Sequence, residues 1–430
     1  MNPSTAAASG QPARESNIDA IVSYFEGGIK PAGGPGELGI ELEHIIVHDD
    51  MSPVSYSGER GVAWLLDQLK DEYPHLTRDV HGDLLGVSRP GEAVTIEPAA
   101  QLELSAGPFV DLSTARATFD AFEQRVGELL EPAGERLLTL GYHPTAAARD
   151  LELIPKRRYQ FMNLYLGEKD TCGPCMMRGS ASTQVSIDYT STADCLRKLR
   201  LAFALVPVLS LMCDNSPVFE GKPRKHELVR TEIWQHMDND RCGLVPGVLD
   251  PPFDLRRYAE YILDTVAILI PCKKEQWCYS DRTFGDIYAE RTMTRAEVEH
   301  ALSMFFNDVR LKTYVEIRPA DAMPVPYVIA YAALVRGLFY DAASLDALDE
   351  LFAGVDEAAY GAAKEALMAR GYDAEVYGQP VAELCDAVVA IAERGLSEAD
   401  RPYLEPLARL VAERTTLATL AERSGAVAGR

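Results

Sequence analysis

The chain has 430 residues, of which 47% are hydrophobic and 25% charged, and its formal net charge is -23. This composition fits a soluble globular protein with one large domain or two modest ones. The acidity excludes general binding to nucleic acid or to an anionic membrane, because both need a basic surface. We therefore expect neither as a partner.

Helices are predicted where apolar residues recur three and four positions apart. The predicted helices, in chain order, cover residues 17–29, 61–73, 111–140, 155–166, 193–213, 228–236 and 294–306. From residue 326 onward one helix is predicted after another, with alanine-rich segments at 342–370, 379–394 and 398–422. The helix at 155 opens with the basic run Lys156-Arg157-Arg158, which predicts a solvated helix end, with phosphate contact as the alternative. A capping box of Thr294 and Glu297 opens the helix at 294.

Strands with one polar and one apolar face are predicted at 39–47, 83–87, 94–97, 101–105, 181–188 and 311–318. Their polar faces carry, in chain order, Glu41, Glu43, Gln101, Glu103, Gln184, Tyr314, Glu316 and Arg318, with Glu97 beside a bend at Pro98. The hairpin through Pro98 is antiparallel, and the strands and helices do not alternate as in a parallel sheet. We predict an α+β fold: a curved antiparallel sheet with an acidic concave face, helices on its convex side and a helical C-terminal region.

Five acids are predicted on that concave face: Glu41, Glu43, Glu97, Glu103 and Glu316. They would repel one another unless cations lay among them, and carboxylate oxygens are the ligands that Mg²⁺ prefers. The pattern thus predicts a site for two or more Mg²⁺ ions that could hold ATP phosphates. Arg230, Arg310 and Arg318 could neutralise a transferred phosphoryl group and a substrate carboxylate, and Trp234 would face the same way as Arg230.

The eight cysteines, in a chain without a recognisable secretory signal, predict reduced thiols and a cytoplasmic protein. Residues 1–16 are small and polar and predict a disordered tail. Cys172 and Cys175 have the CxxC spacing but lack a thioredoxin-like context. Coincidence in a loop is the favoured interpretation, and a redox switch remains open.

Seven motifs, in order from about residue 37 to 340, resemble glutamate-cysteine ligases of the plant and bacterial type. They are Gly39-Ile40-Glu41-Leu42-Glu43-His44, the stretch 96–105 with Glu97, Gln101 and Glu103, Met176-Met177-Arg178, the stretch 183–188 with Gln184, Asn215-Ser216-Pro217, Glu220-Gly221-Lys222-Pro223, and the stretch 310–318. The resemblance implies a glutamine-synthetase-like fold with a catalytic domain at 17–340 and a helical region at 341–430 packed on it.

The resemblance also implies a reaction, in which L-glutamate, L-cysteine and ATP give γ-glutamylcysteine, ADP and phosphate through a γ-glutamyl phosphate. It assigns Mg²⁺ to the five acids, catalytic roles to Gln184, Arg230 and Arg318, and substrate or ATP contacts to Arg178, Arg230, Trp234, Arg310 and Arg318. We expect a monomer or homodimer, and Glu316→Ala to abolish turnover without unfolding the protein. No general base is identifiable.

Two departures and two alternatives accompany the resemblance. Ala99-Ala100 replaces a common Gly-Gly, which predicts a slightly reshaped bend, and Ser186 replaces a common Asn, which leaves substrate detail open. One alternative is a related carboxylate-amine ligase with a different amine or acid. The other is a non-enzymatic redox sensor that uses Cys172 and Cys175. A zinc hydrolase is disfavoured, because no HExxH motif occurs.

Overall fold

The computed structural model describes residues 11–34, 36–272 and 277–425. The strands are β1 (Leu38–His48), β2 (His75–Arg78), β3 (Leu84–Arg89), β4 (Glu92–Ile96), β5 (Leu102–Phe109), β6 (Glu135–Leu138), β7 (Ser182–Ile187), β8 (Val218–Phe219), β9 (Lys222–Pro223), β10 (Cys242–Gly243), β11 (Val266–Pro271), β12 (Trp277–Thr283), β13 (Phe306–Asn307), β14 (Val309–Leu311), β15 (Val315–Asp321), β16 (Glu375–Val376) and β17 (Gln379–Pro380).

The helices alternate irregularly with these strands and then follow one another at the C-terminal end. They are α1 (Gln11–Glu26), α2 (Val62–Leu69), α3 (Leu112–Leu130), α4 (Arg157–Lys169), α5 (Thr192–Met212), α6 (Val229–Gln235), α7 (Leu255–Asp264), α8 (Phe284–Ile287), α9 (Arg295–Leu302), α10 (Val325–Phe339), α11 (Ala342–Leu351), α12 (Glu357–Arg370), α13 (Val381–Gly395), α14 (Arg401–Ala412) and α15 (Leu417–Ser424). A π-helical turn covers Cys175–Gly179.

One large antiparallel sheet organises the molecule. Its strand order is β14-β15-β7-β1-β5-β4-β3-β2, and β6 pairs with the second half of β1. On β1, Ile40, Leu42 and His44 are fully buried, and the His44 ring is 5.7 Å from the ring of Phe122 on α3. Helices α3, α5 and α10 pack against the sheet. The predicted α+β class, with an antiparallel sheet and helices on its apolar face, is confirmed.

Several predicted element boundaries are wrong, and the helix predicted over 294–306, for example, ends at Leu302. Helix α1 begins at Gln11, so residues 11–16 are not a tail, while residues 1–10 lie outside the described residues. The helix predicted over 111–140 ends at Leu130. Pro132 lacks the N–H that a continuing helix needs, and Gly134, with φ +67°, turns the chain into β6.

The bend between β4 and β5 keeps a glycine-like backbone although it contains Ala99 and Ala100. Ala100 has φ +66°, a conformation that costs a residue with a Cβ about 1–2 kcal/mol. Hydrogen bonds hold the bend: the Ala100 N–H donates to the Glu97 carbonyl at 2.9 Å, and the Ile154 N–H donates to the Pro98 carbonyl at 2.9 Å. Ala100 is therefore strained in a conformation that glycine adopts freely, and these hydrogen bonds hold it there.

Two of the cysteines are not free thiols, which corrects the prediction of eight reduced cysteines. Cys272 and Cys278 form a disulfide, with their Cα atoms 5.8 Å apart. The pairing of β11 with β12 sets Ile270 opposite Cys278 and brings the two cysteines together. The sequence pattern did not reveal this hairpin. Cys172, Cys175, Cys195, Cys213, Cys242 and Cys385 are free.

The C-terminal helices are packed on the sheet domain through α10. This helix contacts α3, β1 and β7 on one side and α11, α13 and α14 on the other. On α12, the Lys364 ammonium lies 2.8 Å from the carboxylate of Asp308, which also accepts a hydrogen bond from the Tyr360 hydroxyl. Among the described residues, no single helix is long and apolar enough to cross a bilayer, and α10 and α11 qualify only as a pair bent by 89°.

Gly337 sets the distance between α10 and α13. A Cβ at this position would lie 2.2 Å from the Ala392 carbonyl oxygen, so we expect Gly337→Ala to destabilise the protein by about 1–3 kcal/mol. Gly361 on α12 is the matched control, because a Cβ there has nothing within 4 Å. Gly361→Ala should stabilise the protein by about 0.5–1 kcal/mol. Urea unfolding of both variants tests this, and equal effects would contradict the close packing.

Candidate active site

An acidic cavity of about 350 Å³ lies on the polar face of the sheet. It contains four of the five predicted metal ligands, which come from β1, the β4–β5 bend and β5. Its lining comprises Glu41, Glu43, Glu97, Pro98, Gln101, Glu103, Lys156, Arg158, Tyr159, Met162, Met176, Met177, Ser180, Ser182, Gln184, Arg230, Trp234, Ser303, Phe306, Arg310, Lys312 and Arg318.

Strand register brings the acids together. Glu43 lies directly opposite Glu103 across β1 and β5, and Glu41 lies opposite Gln184 across β1 and β7. Directly opposed residues share a face of the sheet, and so do positions two apart on one strand. The acids and Gln184 therefore project from three neighbouring strands into one space.

Burial raises the pKa values of this group, which we call the glutamate array (Glu41, Glu43, Glu97 and Glu103), and repulsion between carboxylates adds to the rise for all but Glu43. Burial, and then the charges of Glu103 and Glu316, raise the pKa of Glu41 to about 8. Burial, and then the charges of Glu97 and Glu43, raise the pKa of Glu103 to about 8. Burial, and then the charge of Glu43, raise the pKa of Glu97 to about 7. A cation among these carboxylates would relieve that cost.

The hydrogen bonds of the array leave several carboxylate oxygens available for a cation. Glu43 accepts from the Ser182 N–H at 2.7 Å and from the Ser182 hydroxyl at 2.8 Å. Glu103 accepts from the hydroxyls of Thr95 and Ser105 through one oxygen. Among the described residues, no three acidic, His or Cys side chains lie close enough together to form a ready-made metal site. The array is suited to Mg²⁺ because it offers oxygen ligands and because a cation would offset the repulsion that its raised pKa values reflect. Its carboxylates are not already arranged around a coordination site.

Glu316 differs from the array, because three cations already hold it. Its carboxylate lies 2.7 Å from Arg310 Nε, 2.9 Å from Lys312 Nζ and 2.9 Å from Arg318 Nη1. Burial opposes ionisation, but these three charges hold the pKa of Glu316 well below its usual range. The side chain is fully buried and lies behind the cavity wall. We call Arg310, Lys312 and Arg318 the cationic wall.

Gln184 connects the cationic wall to the glutamate array. Its side-chain carbonyl accepts a hydrogen bond from Arg318 Nη1, and its amide donates to Glu43 at 3.4 Å. The Gln184 amide thus lies between the carboxylate of Glu43 and the guanidinium of Arg318. The cavity therefore combines sites for cations with donors for anionic oxygens.

Arg230 and Trp234 project into the cavity from α6. Arg230 Nη1 donates to the Ala320 carbonyl at 2.9 Å and lies 3.4 Å from the Asp321 carboxylate. Its Nε is buried and has no hydrogen-bond partner among the described residues. A buried donor of this kind is costly unless a ligand satisfies it. Arg230 is thus prepared to receive an anionic group.

Arg178 does not line the acidic cavity. Its guanidinium donates to the Asn163 side-chain carbonyl at 2.7 and 3.1 Å and to the Leu151 carbonyl at 3.0 Å. These contacts fix the loop between β6 and α4 against the π-helical turn. The substrate contact of Arg178 stays a prediction, and this side chain lies outside the lining of the acidic cavity.

Lys156, Arg158 and Lys312 line the cavity although none was predicted as a site residue. Arg158 donates to the Ser303 carbonyl at 2.8 Å, and burial lowers the pKa of Lys156 although Glu97 opposes the shift. Arg157 is exposed. The basic run was the available signal, but sequence alone could not show that its first and third members turn inward.

A second, glycine-lined cavity of about 650 Å³ adjoins the first, and Glu41 borders both. Its wall includes Gly28, Gly39, Gly91 and Gly107. Lys30, Arg89 and Arg295 also line it, together with Ser186, the residue that departs from the common Asn. Four acids, Glu37, Glu41, Glu92 and Asp188, line the cavity as well, and Glu92 lies 2.8 Å from Arg89. The glycines leave room for a flat ligand, and the wall offers it both positive and negative groups.

Known proteins resemble this chain in fold and in sequence. A solved glutamate-cysteine ligase from Francisella tularensis, in complex with AMP, matches it with a TM-score of 0.55 at 12% identity, over 88% of this chain and 82% of that chain. This match supports the fold. Chloroplastic glutamate-cysteine ligase B of Oryza sativa subsp. japonica is 29% identical over 339 residues, which are 77% of this chain and 68% of the relative.

A chloroplastic glutamate-cysteine ligase of Arabidopsis thaliana is 30% identical over 342 residues, 77% of this chain and 65% of the relative. The model of glutamate-cysteine ligase family 2 matches residues 37–428, which confirms the resemblance seen in the motifs. Because this match runs from just before β1 to beyond α15, the chain belongs to glutamate-cysteine ligase family 2.

Proposed function

We propose that this chain uses ATP to join the γ-carboxylate of L-glutamate to the amino group of L-cysteine, giving γ-glutamylcysteine. The observation that carries the proposal is the pairing of the glutamate array with the cationic wall in one cavity of a member of this family. Phosphoryl transfer needs charge neutralisation and positioning, and both are available there without a protein nucleophile.

The glycine-lined cavity is the proposed site of the adenosine part of ATP. Its volume of about 650 Å³ exceeds that of the acidic cavity, and it opens toward Glu41, where the phosphates would meet the second cavity. The Francisella tularensis relative, which shares the fold, was solved with AMP. Arg89 and Arg295 are placed to contact anionic or polar parts of the nucleotide.

Glu41, Glu43, Glu97 and Glu103 would hold Mg²⁺, which supplies charge neutralisation of the ATP phosphates when bound. Glu316 could join them only by giving up contacts with the cationic wall, so its predicted metal role is secondary to its ion pairs in this proposal. The number of ions, predicted as two or more, remains a prediction.

The chain's own residues then orient the reactants. Arg310, Lys312 and Arg318 are placed to stabilise the phosphoryl group while a γ-carboxylate oxygen of glutamate attacks the terminal phosphorus and ADP leaves. Arg230, which lines the cavity, is the proposed partner of a carboxylate of glutamate. The cysteine amine then attacks the acyl carbon, phosphate leaves, and the amine proton passes to solvent, since no general base is identified.

A coupled assay tests the proposal. Purified protein is given ATP, Mg²⁺ and L-glutamate, with and without L-cysteine, and ADP release and product mass are measured. Cysteine-dependent ADP release with γ-glutamylcysteine as product is expected. Release only with another amine or acid would replace the substrates while keeping the ligase chemistry. No nucleotide turnover under any of these conditions would refute the proposal.

The position of Arg158 in the cavity lining leads to a testable prediction that its residue type alone did not suggest. Arg158→Met should lower kcat/KM about 10- to 100-fold, because the cavity loses a charged donor near the reacting phosphate. Arg157→Met is the matched control, since Arg157 is exposed and should change kcat/KM less than about twofold. Steady-state kinetics of both variants measure the difference. Equal losses of kcat/KM in the two variants would indicate that the substitutions disturb the helix and not the cavity.

A further inference from the structure

Cys172 and Cys175 occupy a defined place beside the acidic cavity. They flank the turn that begins the π-helical segment, and with Tyr142, Val229 and Ile233 they belong to a small apolar cluster separate from the main core. Each is 8% exposed, whereas the other free cysteines are at most 3% exposed. Cys172 and Cys175 are therefore the most accessible free thiols among the described residues.

The two thiols have different surroundings. They are hydrogen-bonded to each other, and the hydrogen bond from Cys175 is the main cause that lowers the pKa of Cys172 to about 7. The same hydrogen bond, then burial and the charge of Glu220, raise the pKa of Cys175. Cys175 Sγ lies 3.8 Å from a Glu220 carboxylate oxygen. Cys172 is thus the attacking thiol and Cys175 the proton-bearing partner.

The backbone between the two cysteines forms a closed and tightly packed turn. The Met176 N–H donates to the Cys172 carbonyl at 2.9 Å, which closes the turn between the cysteines. Gly173 lies against α4, where a Cβ would come within 2.4 Å of the Leu166 carbonyl oxygen. The turn is therefore fixed in a shape that keeps the thiols in contact. A disulfide between them would hold the two sulfurs about 2 Å apart.

We propose that Cys172 and Cys175 form a thiol–disulfide exchange site that reacts with low-molecular-weight disulfides of the cystine class. The Cys172 thiolate attacks one sulfur of the small disulfide, and one small thiol leaves with a proton. Cys175 then attacks Cys172 in the mixed disulfide, and the second small thiol leaves. The protein loses two hydrogens, and the small disulfide is reduced to two thiols.

The site is connected to the wall of the acidic cavity. Met176 and Met177, which directly follow Cys175, line that cavity. Val229 and Ile233 share the apolar cluster with the cysteines, while Arg230 and Trp234 on the same helix line the cavity. Oxidation removes the S–H that Cys175 donates to Glu220, so it should shift this wall. We expect the KM for glutamate to change about threefold or more, an effect that rests on the proposed ligase function.

Peptide mapping tests the exchange itself. The full-length protein is reduced, freed of reductant, incubated with cystine, blocked with an alkylating agent and digested. A Cys172–Cys175 disulfide should form at least about tenfold faster than Cys242 is modified, since Cys242 is buried and its pKa is raised. Cys175→Ser should stop at a mixed disulfide of Cys172 with half-cystine, and Cys172→Ser should slow the reaction.

Native circular dichroism confirms that each variant is folded, and Cys242→Ser serves as a control that should react as the wild type does. The proposed exchange site would be overturned if Cys172 reacted with cystine no faster than Cys242 does. It would also be overturned if the Cys175→Ser protein formed no mixed disulfide. An unchanged glutamate KM after oxidation would overturn the connection to the cavity. Inactivity of the reduced protein would instead count against the ligase function and leave the mapping result intact.

Discussion

Glu316→Gln is expected to lower turnover by at least about 10³-fold and to destabilise the folded protein by about 3–5 kcal/mol. The carboxylate is fully buried and neutralises Arg310, Lys312 and Arg318. Glutamine keeps the shape but removes the charge, so the three cations would repel one another and leave the positions that phosphoryl transfer needs. The sequence alone predicted loss of activity without unfolding, because it treated this acid as a metal ligand only.

Glu135→Gln provides the matched control for this prediction. Glu135 is also a buried glutamate of the sheet, and its partner is His48 at 3.6 Å. It lies away from both cavities that border Glu41, so its substitution should change stability by less than about 1 kcal/mol and leave kcat unchanged. Urea unfolding and steady-state kinetics of both variants give the comparison. A Glu316→Gln protein as stable as the wild type would contradict the structural role.

Without divalent cations, the thermal stability of the protein should fall as the pH rises from about 5 to 8.5. Glu41 and Glu103 have folded-state pKa values of about 8, and Glu97 of about 7, against an ordinary value of 4.5. A raised pKa means that the folded state retains protons that the unfolded state has released. The associated stability is complete below about pH 4.5 and is lost as the pH passes through 7 and 8.

Mg²⁺ at pH 8.5 should restore the melting temperature by about 5 °C or more, since bound cations replace the protons. The measurement is calorimetry with EDTA or with Mg²⁺, and sodium chloride at equal ionic strength serves as the control. Asp214, away from the acidic cavity, has a pKa raised by burial to about 7 and adds to the fall, but Mg²⁺ should not relieve it. Glu103→Gln should reduce the Mg²⁺ effect. A melting temperature that rises with pH would contradict the prediction.

The sequence predicted the glutamate array because strand periodicity is local. Glu41 and Glu43 share a face as alternate residues, and the bend at Pro98 turns β4 back into β5 with Glu103 on the same side. Which residues lie opposite one another depends on register, which alternation does not specify. The pairing of Glu43 with Glu103 therefore became known only from the fold.

Other features depend on contacts between distant segments. Lys156 and Arg158 face the cavity because the first turns of α4 form part of its lining, and no local pattern distinguishes them from exposed Arg157. The partners of Glu316 follow from the pairing of β14 with β15 and from the burial of that hairpin in the protein. Likewise, the disulfide of Cys272 and Cys278 requires the hairpin that brings them together, and its strands lack clear alternation.

The packing of α10 has a consequence for any shortened form of this enzyme. A fragment ending at residue 340 would match the division drawn from the sequence, yet it would expose to water a helix whose residues are almost all buried in the intact chain. It would also remove Lys364 and Tyr360 from Asp308, two positions before Arg310. The catalytic sheet and the trailing helices are thus one cooperative unit, and a soluble, active truncation is not to be expected.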